Sequence, residues 1–280
     1  MIHWLVMPDL ASSAVWMSFL TLTFLEIVLG VDNIIFISIA AGKLEEKDQK
    51  KATNIGLILA MVIRIFLLLG ITVLIAMSEP WIKIDNAFMT AGFSGQSIIL
   101  IIGGLFLLYK SVSEIHHKLE GDGAEEEGGA KKKVSLSSAI FTITLINIVF
   151  SFDSILTAVG MTNGIEGALI IMIVAVVLSV IIMMLFAVPV GRFVNKHPTI
   201  QMLGMAFLIL IGFMLILEGG HLAHMKILGG EIGAVPKGYL YFAIAFSLLV
   251  EFLNMGLRNK RKKPVQLHNA VKEAKTDGIM

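Results

Sequence analysis

The sequence contains no cysteine, which excludes both a disulfide framework and a metal site built from thiolates. Charged residues are also scarce, at 15% of the chain against about 25% in ordinary soluble domains. Hydrophobic residues make up 56% of the 280 residues, and the mean hydropathy is +0.87. This balance excludes an ordinary soluble domain and indicates an integral membrane protein.

Long apolar runs predict the number of membrane spans. Each run has about 20 residues, the length that crosses a bilayer as a helix. The runs lie at 15–38, 55–77, 95–112, 137–160, 166–189, 200–218 and 238–257. The opening stretch MIHWLVMPDL lacks a basic region and a small-residue cleavage pattern, so we expect the first run to be kept as a span. The sequence therefore predicts an all-α polytopic membrane protein with about seven transmembrane helices.

The distribution of lysine and arginine predicts the orientation. Loops on one side of the predicted spans, together with the C-terminal tail, hold 18 of these residues, and loops on the other side hold only Lys83, Lys226 and Lys237. Because cytoplasmic loops carry the excess of positive charge, we expect an outer N-terminus and a cytoplasmic C-terminus in the inner (plasma) membrane. The basic tail at 258–280 then anchors the chain at the cytoplasmic face, and the lipid bilayer is the first predicted partner.

An internal repeat relates the first and fourth spans. TLTFLEIVLGVDNII (21–35) aligns without gaps with TITLINIVFSFDSIL (142–156), so that Asp32 matches Asp153 and Glu26 matches Asn147. These spans cross in opposite directions, which predicts a three-plus-three inverted-topology repeat with one extra C-terminal helix. The predicted segments are a first half at 1–113, a flexible cytoplasmic linker at 114–136, a second half at 137–219, an outer loop with the seventh span at 220–257, and the tail at 258–280.

Three acids of the aligned motifs and one arginine lie inside the predicted spans. A charge at the bilayer centre costs about 2.5 to 3.5 kcal/mol on insertion scales, so the acids Glu26, Asp32 and Asp153 and the base Arg64 need a reason to be there. Arg64 can neutralise one carboxylate and hold two helices together, or balance charge when an ion site is empty. One arginine leaves two acids over, and this surplus indicates a bound cation.

The candidate ligands for that cation all offer oxygen atoms. They are Glu26, Asp32, Asn33, Asn147, Asp153 and Ser154. Oxygen ligands suit hard divalent ions such as Mn²⁺, Mg²⁺ or Ca²⁺, and we expect one of these ions to be bound or transported, with no permanently bound cofactor. Protons compete for the same carboxylates, so exchange of the cation against H⁺ is a further hypothesis.

The repeat also predicts the depths of these groups. Glu26 and Asp153 share an outer depth, and Asp32 and Asn147 share an inner one. On a continuous helix Glu26 and Asp32 are about 9 Å apart along the axis, too far for both to hold one ion directly. Either the helices unwind near Gly30 and the matching serine of the fourth span, or the groups form two successive positions along a path.

Secondary candidates for the path are weaker. Glu218 and His221, in LEGGHLAH, lie near the outer end of the sixth span, where paired glycines favour an interfacial loop over a helical face. Glu251 and Asn254 lie one helical turn apart near the cytoplasmic end of the last span.

The alternatives to a transporter are an intramembrane protease and a non-transporting accessory protein. Intramembrane aspartyl proteases use Tyr-Asp and Gly-x-Gly-Asp contexts, whereas Val31 and Phe152 precede the two aspartates here, so we expect no enzyme activity. A non-transporting accessory protein that handles metal for exported enzymes, or confers resistance through partners, shares the same metal ligands and stays open. We expect no nucleic-acid partner, and the sequence leaves the oligomeric state open.

Several stretches resemble the TerC family of integral membrane proteins. They are FLEIVLGVDNIIFI, FSFDSILTAVGM, GGLFLLYKSVSEIH, HPTIQMLGMAFLILIGFMLILEG and PKGYLYFAIAFSLLVEFLN, and the likeness covers nearly the whole chain. The family is named for tellurium resistance and is grouped with a larger superfamily of exporters, several of whose members are linked to Mn²⁺ efflux. The resemblance implies an ion site in the acidic motifs of the first and fourth spans, at Glu26, Asp32, Asn33, Asp153 and Ser154.

The chain departs from the family pattern in two places. The second motif of the family usually begins with Asp, where this chain has Asn147, which removes one charge from the inner pair. Before the third span the family often reads Ser-Gly-Arg-Asp, where this chain has SGQS at 94–97, which removes an ion pair from the outer face. Neither change abolishes the outer pair Glu26 and Asp153.

Overall fold

The computed structural model of this chain describes residues 6–86, 88–120, 135–162 and 165–261. Within these ranges, seven helices are long and apolar enough to cross a membrane, which confirms the predicted number of spans. Large apolar side chains such as Phe24, Phe141 and Leu185 are exposed on these helices, as expected where the solvent is lipid. The tail beyond 261 and most of the predicted linker, at 121–134, lie outside the described residues.

The helices begin and end close to the predicted spans. In chain order they are α1 (Ser13–Gly42), α2 (Glu46–Leu69), the short α3 (Ile71–Ala76), α4 (Gly95–Glu120), α5 (Leu136–Met161), α6 (Ala168–Lys196), α7 (Pro198–Leu222) and α8 (Lys237–Arg261). Two details differ from the predictions. The second apolar run is divided between α2 and α3 at Gly70, and α4 continues as far as Glu120, into the predicted linker.

Local sequence signals account for several helix ends. The Ser135 hydroxyl accepts a hydrogen bond from the Ser138 backbone N–H at 3.2 Å and caps the start of α5. Ser94 and Ser97 exchange backbone-to-hydroxyl bonds of 2.9 and 3.2 Å at the start of α4, the reciprocal arrangement of a capping box. Pro198 opens α7, where its missing N–H costs nothing.

A small antiparallel sheet joins two loops that are far apart in sequence. Its strands are β1 (Pro80–Asp85), β2 (Met89–Ser94), β3 (Lys226–Ile227) and β4 (Gly230–Glu231), in that order across the sheet. Leu228 and Gly229 join β3 to β4 with φ of 50° and 80°, as a two-residue hairpin turn requires. This sheet was not predicted, because β3 and β4 are too short to show a period. Strand β3 depends on pairing with β2, and β4 on pairing with β3.

Helix packing brings the two halves of the chain together. The main packed pairs are α4 with α7, α1 with α6 and α2 with α5, while α1 also packs on α5 and α2 on α6. Glycines allow the closest approach: a Cβ atom at Gly104 of α4 would lie 2.5 Å from the carbonyl oxygen of Gly212 in α7. The chain divides into two units after Leu240, and in the second unit the described residues 241–261 continue α8.

Candidate functional site

The predicted intramembrane base, Arg64, connects three helices. Its guanidinium, on α2, donates to the Glu26 carboxylate on α1 and to the Ser154 hydroxyl on α5. The Ser154 hydroxyl in turn donates to backbone carbonyls of its own helix, those of Phe150 and Ser151, both at 3.1 Å. The structure therefore brings together two of the predicted ligands with the predicted charge-balancing residue. We call Glu26, Arg64 and Ser154 the arginine cluster.

The arginine cluster is enclosed by apolar side chains. Glu26 is 4% exposed, and the side chains around it are mainly apolar, among them Leu22 and Met172. Along α1, Glu26 lies between Leu22, which belongs to one buried apolar cluster, and Ile34, which belongs to another. Along α2, Arg64 likewise lies between a residue of one cluster and a residue of the other. Because a buried carboxylate needs a positive partner, the arginine is required for this arrangement whenever no other cation is bound.

Asp153 has a different positive partner. Lys237, the first residue of α8, places its ammonium nitrogen 2.8 Å from both carboxylate oxygens of Asp153 and 2.6 Å from the Thr157 hydroxyl oxygen. We call Lys237, Asp153 and Thr157 the lysine cluster. The sequence analysis missed Lys237 and Thr157, since it counted Lys237 only as a charge of the outer loops. A second internal cation also removes part of the surplus of acids on which that analysis relied.

Further side-chain oxygens are buried in α1 and α5. The side-chain oxygens of Thr23, Asn33 and Thr144 are buried and have no hydrogen-bond partner among the residues that the structure describes. Asn33 was a predicted ligand, and the two threonines occupy equivalent places in the sequence repeat. Thr23 also lies three residues before Glu26, on the same face of α1. Neither threonine was a predicted ligand, and their match in the alignment of 21–35 with 142–156 is the sequence signal that could have found them.

Both helices of the repeat are continuous through the places where unwinding was considered. Helix α1 runs unbroken past Gly30, and α5 past Ser151. Gly30 instead contacts Met183 of α6, with no room for a Cβ atom. The Asn147 amide donates to the Ile143 carbonyl oxygen of its own helix at 2.8 Å. Of the two alternatives left open by the sequence, this geometry favours successive positions; the side chain of Asp32 lies outside the described residues.

Glu218 and His221 lie on a helix. Helix α7 continues through Gly219 to Leu222, so the interpretation of this stretch as an interfacial loop was wrong. The glycines serve packing here, since a Cβ atom at Gly219 would lie 2.8 Å from a backbone carbonyl oxygen of α4. The His221 ring nitrogen Nδ1 lies 3.2 Å from the Ile232 carbonyl oxygen. Polar packing across the end of α7 accounts for His221.

The remaining secondary candidates, Glu251 and Asn254, lie on α8 in the second unit, where Asn254 is exposed.

An ion pair at the predicted cytoplasmic end was not anticipated. Lys43, just after α1, lies 2.7 Å from the Glu114 carboxylate of α4, which is 11% exposed. Both line a cavity of about 130 Å³, together with residues of α5 and α7 such as Thr142 and Met205. The sequence alone gave no reason to pair these two residues.

The carboxylates do not form a ready-made metal cage. Among the described side chains, no three His, Cys, Asp or Glu residues lie close enough together to hold one ion. Glu26 and Asp153 are each bound to an internal cation instead. An incoming divalent ion would therefore have to displace Arg64 or Lys237 from the oxygens it uses.

Comparison with known proteins gives a consistent result over almost the whole chain. The model of the integral membrane protein TerC family matches residues 11–264. A UPF0053 protein of Haemophilus influenzae is 39% identical over 262 residues, which are 94% of this chain and 100% of that protein. The UPF0053 inner membrane protein YgdQ of Escherichia coli is 43% identical over 246 residues, 88% of this chain and 94% of that protein.

A longer relative, the UPF0053 inner membrane protein YoaE of Escherichia coli, is 39% identical over 248 residues, 89% of this chain but 44% of that protein. No solved structure matches the chain. The residues matched by the family model include all seven membrane-spanning helices and the motifs of α1 and α5. The chain belongs to the TerC family of integral membrane proteins.

Proposed function

We propose that this protein exports a hard divalent cation, with Mn²⁺ as the preferred ion and Mg²⁺ or Ca²⁺ as alternatives. The observation that carries the proposal is the Glu26 carboxylate, buried between helices α1, α2 and α5 and held by a cation that belongs to the protein. A buried carboxylate with an exchangeable positive partner is what a cation carrier needs. The protein acts as a carrier, with no enzymatic step and no permanently bound cofactor.

The polar atoms of α1 and α5 support a hard ion. The Ser154 hydroxyl shares the Arg64 guanidinium with Glu26, and Thr23, Asn33 and Thr144 offer buried oxygens on the same two helices that lack partners among the described residues. These are carbonyl and hydroxyl oxygens, the donors that Mn²⁺, Mg²⁺ and Ca²⁺ prefer.

The helix packing supports the inverted repeat. Exchanging the halves replaces α1, α2 and α4 by α5, α6 and α7. Under this exchange the α1–α6 pair becomes the α5–α2 pair, and the structure contains both. The α4–α7, α1–α5 and α2–α6 pairs are each unchanged by the exchange. In transporters with such repeats the site lies at the repeat interface and opens alternately to each side. The arginine cluster lies at the contact of α1 and α5.

The first test is Mn²⁺ flux by the purified full-length protein in liposomes. We expect wild type to move Mn²⁺ and Glu26→Gln to lose most of the flux, because a neutral amide cannot replace the carboxylate. Asp153→Asn should also reduce the flux. Glu79→Gln, at an exposed acid outside the helices, is the matched control and should behave as wild type. A folded Glu26→Gln variant with unchanged flux would overturn the proposal.

Exchange against protons is part of the proposal, because protons and metal ions compete for carboxylates. An imposed pH gradient should drive Mn²⁺ uphill in the same liposomes. Transport that ignores the gradient would remove the proton from the mechanism and leave the ion site standing.

We also propose an inner-membrane location with the N-terminus outside and the C-terminus in the cytoplasm. Relatives named inner membrane proteins and the lysine and arginine distribution support it. A fluorescent protein fused to the C-terminus should fold and fluoresce, whereas alkaline phosphatase at the same place should be inactive. Active phosphatase there would reverse the orientation.

A second candidate function is favoured by the ion pairs themselves. Both carboxylates that the structure describes in the motifs are already neutralised, as expected of charges with a structural role. The protein would then be a non-transporting accessory that handles metal for exported enzymes or supports tellurium resistance through partners. A well-folded wild type that neither binds nor moves any divalent ion would favour this function.

A further inference from the structure

In the lysine cluster, oxygens of Asp153 and Thr157 contact the Lys237 ammonium as ligands contact a bound cation. An ammonium group has three N–H donors, and Lys237 directs its nitrogen at three oxygens, two from Asp153 at 2.8 Å and one from Thr157 at 2.6 Å. The Thr157 hydroxyl donates its own proton to the Asp153 carbonyl oxygen at 2.9 Å, so its lone pairs face the ammonium. The oxygens therefore surround a positive charge at close range.

This cluster adjoins the arginine cluster. Asp153 and Ser154 are consecutive on α5, so one faces Lys237 while the next faces Arg64. The side chains of Asp153 and Lys237 are 16% and 27% exposed, whereas Glu26 is almost fully buried. The Asp153 oxygens are therefore the more accessible of the two sets, and a cation on its way to or from Glu26 can meet them.

We propose that Lys237 is a tethered cation that occupies an oxygen site formed by Asp153 and Thr157, and that a divalent cation binds these oxygens only when the ammonium leaves. The inference rests on the proposed function and adds a competitor for the ion at the more exposed of the two carboxylates. With Lys237 in place, Asp153 is neutralised, and a second cation would meet a positive charge at hydrogen-bonding distance. Lys237 thereby lowers the affinity of this step, which favours release of the ion over its retention.

The test measures Mn²⁺ binding by the full-length protein in detergent micelles, from the electron paramagnetic resonance signal of free Mn²⁺ at fixed pH and ionic strength. Lys237→Met removes the charge and keeps the length of the side chain. We expect it to bind Mn²⁺ about tenfold more tightly than wild type, or better, because a nearby unit charge repels a divalent ion strongly in a partly buried site. Lys237→Arg keeps the charge and should show no gain.

Two further variants separate this effect from a general change in surface charge. Lys83→Met removes an exposed lysine of β1 on the same predicted face, and should bind Mn²⁺ as wild type does. Lys237→Met combined with Asp153→Asn should lose the gain, since the oxygens that would hold the ion are then neutral.

The outcomes also distinguish the inference from the proposed function. If wild type binds and moves Mn²⁺ while folded Lys237→Met shows no tighter binding, the inference is wrong and the proposed function stands. If wild type does not move Mn²⁺ but Lys237→Met gains binding that depends on Asp153, the inference stands and export is wrong. Absence of binding by both proteins overturns both.

Folding of the variant is checked by a single symmetric peak in size-exclusion chromatography. Should Lys237→Met fail this check, Lys237→Gln replaces it, because its neutral amide can still donate to Asp153 and Thr157. The same gain in Mn²⁺ affinity is expected, and its absence in folded Lys237→Gln would overturn the inference.

Discussion

Arg64→Met should destabilise the protein by about 3 to 5 kcal/mol, the cost of breaking a buried ion pair by removing one partner. The physical reason is that Glu26, 4% exposed, loses the guanidinium that neutralises it, and Ser154 loses the same donor. Met has a similar length and is apolar, so the volume between α1, α2 and α5 stays filled. Thermal unfolding of the purified protein in detergent, followed by circular dichroism, measures the loss.

The double variant Arg64→Met with Glu26→Gln is the control for this prediction. It removes both charges, so most of the lost stability should return, because a neutral amide among apolar side chains costs far less than an unpaired carboxylate. A single variant as stable as wild type would show that the pair does not hold the helices together. A stable single variant with altered Mn²⁺ flux would place Arg64 in the transport mechanism and not in the framework.

Gly104→Ala should destabilise the protein by about 2 to 3 kcal/mol, towards the upper part of the usual range for overpacking. The added Cβ atom would lie 2.5 Å from the Gly212 carbonyl oxygen and 2.7 Å from a side-chain carbon of Ile216. A backbone oxygen cannot rotate away as a side chain can, so α4 and α7 must separate. The lower unfolding temperature in detergent is the measurement.

Gly160→Ala is the matched control for the helix contact. Gly160 also lies in a membrane-spanning helix, α5, but among the described residues no atom beyond its own stretch of helix lies within 4 Å of the place its Cβ atom would take. Alanine favours helix over glycine, so this variant should be as stable as wild type or slightly more stable. Equal losses of stability in Gly104→Ala and Gly160→Ala would show that close packing of α4 on α7 is not the reason for a glycine at position 104.

How much of the candidate site was predictable is seen at Glu26 and Arg64. Their presence inside apolar runs was enough to single them out, because the cost of a charge in lipid depends on the residue type and the span alone. The repeat also aligns Thr23 with Thr144, whose buried oxygens have no partners among the described residues, although neither was a predicted ligand. The sequence did not predict the partner of each charged residue.

Those partners depend on contacts between distant parts of the chain. Glu26 meets Arg64 38 residues away, and Asp153 meets Lys237 84 residues away. Membrane helices that are apolar on nearly every face carry little periodicity to show which helices touch, so the sequence offered no means of pairing these groups. The continuity of α7 through Gly219 was missed for a related reason, since the close approach of α4 that favours glycine there is also a tertiary contact.

The sequence by itself determined that the chain is a helical membrane protein with seven spans, because lipid leaves a backbone no hydrogen-bond partner outside its own helix. It also determined which polar residues lie inside those spans. Only the tertiary structure decided that Arg64 binds Glu26 and Ser154, that Lys237 occupies the oxygens of Asp153 and Thr157, and that a small sheet joins two loops far apart in sequence. Each of these depends on distances between helices and loops, and such distances are set by side-chain packing and not by composition.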